Sequence, residues 1–76
     1  MAPDTRTWVE RYAAALGVGT LSPAEVDALL DLAGTAAHAS ERTAAPLSCW
    51  LAATAGLTPA EALAVARDVA DSLRLT

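Results

Sequence analysis

The chain predicts an all-α fold, a compact four-helix bundle, from three features. Two matching helix-start signals occur, apolar residues recur at three- and four-residue spacing, and no segment alternates apolar and polar residues as a strand would. The first helix follows Asp4 or Thr7 as its cap and brings Trp8, Val9, Tyr12 and Leu16 to one side. Arg6, Glu10 and Arg11 stay in water, and Gly17, suited to the left-handed conformation, ends the helix. The second helix starts at Leu21-Ser22-Pro23-Ala24-Glu25. There the Ser hydroxyl accepts from a first-turn amide, Pro occupies a position that needs no N–H, and Glu25 completes a capping box. It runs to near Ala39, with Val26, Leu29, Leu30, Ala33 and Ala37 on the buried side and Asp27, Asp31 and His38 opposite.

The third helix begins near Pro46 and ends at Gly56. Leu47, Trp50, Leu51 and Thr54 form its inward side, and Ser48, Cys49, Ala52 and Ala53 the other. The fourth repeats the start signal as Leu57-Thr58-Pro59-Ala60-Glu61 and extends to about Leu73. It buries Ala62, Leu63, Val65, Ala66, Val69 and Leu73, while Arg67 and Asp71 pair across one outer turn. Beyond their shared start the second and fourth helices read differently, so the match is common helix punctuation and not an internal duplication. Trp8, Leu30, Trp50 and Leu63 are the expected core, with the aromatics filling gaps left by Ala and Leu. Short loops make neighbouring helices antiparallel.

A chain of 76 residues holds one domain, residues 1–76, with one core of limited size. Its net charge of −4, with five Arg dispersed along the chain and no Lys, supplies no basic stripe for a nucleic acid backbone. Cys49 is the single cysteine, so no internal disulfide or cysteine cage for zinc can form, and a reducing cytoplasmic setting is expected. The first residues carry no apolar core of a secretory signal, and Pro46, Gly56 and Pro59 interrupt the apolar residues too often for a membrane span.

Catalysis needs convergent groups, and one His, one Cys and acids assigned to caps or outer faces do not form a nucleophile, base and orienter. The expectation is therefore a protein that is not an enzyme and needs no cofactor or metal. The more informative feature is the run from Thr43 to Ala60, which contains no charge. Such a helix has to be buried in its own fold or covered by a partner. Ser48, Cys49, Ala52 and Ala53 are the candidate interface, because small side chains let a second helix come close, through self-association or a protein partner. The alternative is a regulatory domain that binds a small anion or nucleotide. His38 and Arg42 are its candidate ligands, beside the free amides at the start of the third helix.

The strings Leu29-Leu30-Asp31-Leu32-Ala33, Ala37-His38, Glu41-Arg42 and Ala44-Ala45-Pro46-Leu47, followed by Leu51, add a resemblance. With Trp8 and Leu16-Gly17, they resemble a family of small, Ala-rich helical domains from actinobacteria that has no assigned activity. Some members are attached to, or labelled with, molybdenum-cofactor guanylyltransferases, which make molybdopterin-guanine dinucleotide. The present chain has no Gly-rich nucleotide loop and is far too short for that transferase domain. The resemblance thus implies an accessory part in cofactor biosynthesis and brings no site residues with it.

Overall fold

In the computed structural model, described for residues 2–74, four helices form an all-α arrangement, as the sequence predicts. They are α1 (Thr5–Leu16), α2 (Pro23–Ala39), α3 (Ala44–Thr54) and α4 (Pro59–Arg74). Three of the helix starts owe their positions to side-chain caps, and α3 has none. Asp4 Oδ1 accepts from the Thr7 amide at 2.8 Å. Ser22 Oγ accepts from the Glu25 amide at 3.1 Å while Glu25 Oε1 accepts from the Ser22 amide at 2.8 Å. Thr58 and Glu61 make the same reciprocal pair at 3.2 and 2.9 Å. Each box satisfies two amides that the helix itself leaves open.

Two helices end by the same device. Gly17 takes φ 75°, the Gly17 amide donates to Ala14 O, and the Val18 amide reaches back to Ala13 O. Gly56, also at φ 75°, donates to Ala53 O, and the Leu57 amide reaches Ala52 O. This six-to-one and five-to-two bonding satisfies the last carbonyls and folds the residue after the glycine back onto the helix. At Gly56 the consequence is large, because Leu57 is at once the residue that folds back on α3 and the residue that enters the α4 cap.

Helix α2 is the hub: both α3 and α4 pack along it, and α1 makes no comparably extensive contact with any of them. Leu32, 2% exposed, is the centre of a buried cluster with Ala62 and Leu63 of α4. Leu29, Cys49, Ala52, Leu57 and Ala66 pack around that cluster. Among the described residues the remaining buried apolar positions are Ala13 and Ala70. The molecule measures 43 × 29 × 18 Å along its principal axes, with α1 beside the N-terminal half of α2.

The expected core is corrected at several positions. Leu63 is buried, but Trp8, Leu30 and Trp50 are exposed. On α2 the centre is Leu32, because a helix gripped by two neighbours buries a sector that passes through Leu29, Leu32 and Ala36 and turns Leu30 away. On α4 the inward line is Ala62, Leu63, Ala66 and Ala70, leaving Val65, Val69 and Leu73 more than half exposed. Trp8 and Tyr12 stack on each other on the surface of α1, with ring centroids 5.7 Å apart. Asp71 pairs with Arg74, three residues on, in place of Arg67. Helix α3 begins at Ala44, two residues before Pro46, because the Ala44 and Ala45 amides already bond to Glu41 O and Arg42 O.

Truncation should separate the observed core from the expected one. Leu32→Ala is expected to cost about 2 to 5 kcal/mol in urea unfolding, whereas Leu30→Ala, at a 62% exposed residue, stays within about 1 kcal/mol. Equal losses would place Leu30 in the core after all.

The caps predict an acid response. The amide and hydroxyl of Thr58 hold the Glu61 carboxyl below the ordinary Glu value, and those of Thr7 do the same for Asp4. A carboxylate lowered on folding adds stability above its unfolded value and loses it as pH falls through the folded one. Thermal midpoints should therefore decline as pH drops from about 5 to about 3. Glu61→Gln should flatten part of that decline, and an unaltered slope in this variant would contradict the assignment.

Candidate functional site

Helix α3 carries no charge, so its orientation decides what it can do. Cys49 and Ala52 pack against the Leu32, Ala62 and Leu63 cluster, and Ser48 is half-buried on the same side. Leu47, Trp50 and Leu51 point outward, exposed at 64%, 76% and 67%. The large apolar side therefore faces solvent and the small side faces the protein, the reverse of the expected orientation. Three of the four residues expected to form an interface, Ser48, Cys49 and Ala52, are thus committed to this chain's own fold, while Ala53 is exposed.

The physical reason lies in the turn after α3. The Leu57 amide bonds Ala52 O, and Leu57 packs on the central cluster. A residue that folds back over Ala52 while entering the core requires the Ala52 side of α3 to be the inward one. Small side chains on that side also let α3 lie close to α2. Thr54 Oγ1 donates to Trp50 O at 2.9 Å, which satisfies its hydroxyl within the helix. The signal was present in the sequence as Leu57 directly after Gly56. Apolar side-chain size pointed the other way.

His38 and Arg42 are not brought into one cavity. His38 Nδ1 lies 2.9 Å from Gly34 O, to which it donates. It lines an open groove of about 450 Å³ with Gly34, Thr35, Ala70, Leu73 and Arg74, in which Arg74 is paired with Asp71. Arg42 is exposed in the turn before α3 and does not line this groove. The Ala44 and Ala45 amides are bonded to Glu41 O and Arg42 O, and Pro46 has no N–H, so these first positions of α3 present no free donors. The groove beside His38 includes neither Arg42 nor the Ala44 and Ala45 amides.

A second groove, of about 540 Å³, separates α1 from the first half of α2 and is lined by Val9, Leu21, Val26 and Leu30 with Arg6 and Glu10 at its edge. Arg6 Nε donates to Glu10 at 3.1 Å, an exposed pair worth a few tenths of a kcal/mol (~0.3–0.5). Among the described residues no three His, Cys, Asp or Glu side chains converge as a metal cluster, and no helix is long and apolar enough to cross a membrane.

Placing a charge on the inward side of α3 should damage the fold itself. Ala52→Glu brings an unpaired carboxylate against the central cluster, at a cost of several kcal/mol (~3–5). Circular dichroism should show loss of cooperative unfolding. A variant that melts like the parent would place Ala52 on the outside.

No curated protein and no solved structure matches this chain. A family model does match, over residues 2–75, and its description is domain of unknown function (DUF6457). Extending over all four helices, that match makes the chain a member of the DUF6457 family.

Proposed function

We propose that this domain is a protein-interaction module whose docking surface is the outward face of α3. The observation that carries the reading is the exposure of Leu47, Trp50 and Leu51 on a helix whose other side is already packed. A docked helix that exposes its largest apolar residues loses hydrophobic stabilisation which a partner restores, at roughly 25 cal/mol per Å² of apolar surface covered. Trp at the centre of such a patch, flanked by Leu, has the composition of a binding anchor. The role is binding without catalysis. In support, Asp4, Glu25 and Glu61 serve as helix caps, while Glu10 and Asp71 are engaged with Arg6 and Arg74 on the surface.

The resemblance to small actinobacterial domains supports a finer version, in which the module works in the cytoplasm as an accessory to the enzymes of molybdenum-cofactor biosynthesis. The free thiol of Cys49 is compatible with that compartment.

A photoreactive side chain at position 47, introduced in the native cell, tests the reading. The expected outcome is a protein adduct at Leu47 that is absent when the same group replaces Asp68, on the polar side of α4. If position 47 yields no more adduct than position 68, the α3 face is not a docking surface. Affinity capture of the intact protein, with its partners identified by mass spectrometry, tests the cofactor-biosynthesis version, which predicts a guanylyltransferase or another enzyme of that route.

A further inference from the structure

We infer that the α3 face is occupied by a second copy of this chain, in a symmetric dimer that completes the core. The inference rests on the docking role proposed for α3 and names its occupant.

Area is the first argument. A compact monomer of 7.7 kDa exposes roughly 4,300 Å². This chain exposes 5942 Å², more than a third above that figure. The excess, roughly 1,600 Å², falls within the range of about 1,000 to 2,500 Å² that each protomer contributes to an obligate homodimer. It is about twice the contribution of roughly 800 Å² per partner to a standard-size interface. Leu47, Trp50 and Leu51 on α3 are among the most exposed large apolar residues and supply the centre of that contact.

Charge is the second argument. A symmetric contact brings each patch against its own copy, so a charged patch in a chain of net charge −4 would repel itself. The run from Thr43 to Ala60 has no charge and meets its copy without that penalty. A partner selected by opposite charge would find nothing to pair with here. The thin core is consistent with both arguments. Leu32 and Leu63 are the only side chains larger than Ala that are buried among the described residues, so the fold needs apolar cover from outside.

Sedimentation equilibrium of the purified chain, with thermal melts over a hundredfold range of concentration, tests this. The inference predicts a dimer mass and a midpoint that rises with protein concentration, and Trp50→Glu should shift dissociation to at least tenfold higher concentration. A monomer mass at hundreds of micromolar, with a midpoint independent of concentration, would overturn the second copy as occupant while leaving the docking face to the cross-linking test. A dimer that Trp50→Glu leaves intact would overturn the placement on α3 and weigh against the docking face as well.

Discussion

Everything in this small fold depends on Leu32 being enclosed between two helices that both lie on α2. The side chain is buried because α4 contributes Ala62 and Leu63 while α3 contributes small residues that bring its backbone within reach. With so few large residues buried, no second apolar layer shares the load. Hydrophobic stabilisation here follows from close approach at Ala and Cys positions more than from side-chain bulk. The same economy explains why α1, which approaches only the start of α2, keeps its aromatic pair on the surface.

The turn at Gly56, Leu57 and Thr58 transmits that constraint to function. One residue between the glycine and the cap fixes how α3 rotates about its axis, since Leu57 has to reach the core and fold over Ala52 together. Once that rotation is set, Leu47, Trp50 and Leu51 have nowhere to go but outward. The apolar face that supports a docking role is thus a by-product of the way the core is closed. A longer connection would decouple the two.

How much of this was legible depended on whether the signal was local. Caps are local chemistry: Ser22 with Glu25 and Thr58 with Glu61 located two helix starts, and the glycines at 17 and 56 located two helix ends to within two residues. Helix facing is a tertiary property, and in an Ala-rich chain its signal is weak. On α3 both sides are apolar, so side-chain size was the available guide and it favoured burying Trp50. On α2 the choice between Leu30 and Leu32, two residues apart, depended on two partners gripping one helix, which periodicity along α2 does not encode. The neighbourhood of His38 and Arg42 is a related case. Arg42 does not line the groove that His38 lines, and the Ala44 and Ala45 amides are used by the turn from Glu41 to Thr43.

The most direct test of the central claim, that α3 turns its small side to the core, is the pattern of methyl contacts in solution. Nuclear Overhauser spectra of selectively methyl-labelled protein should connect the Leu32 and Leu63 cluster to the Ala52 methyl and to Leu57, with no contact from Leu32 to the Trp50 indole within one chain. Strong intrachain contacts from the Leu32 methyls to Trp50 or Leu47, with none to Ala52, would contradict the account.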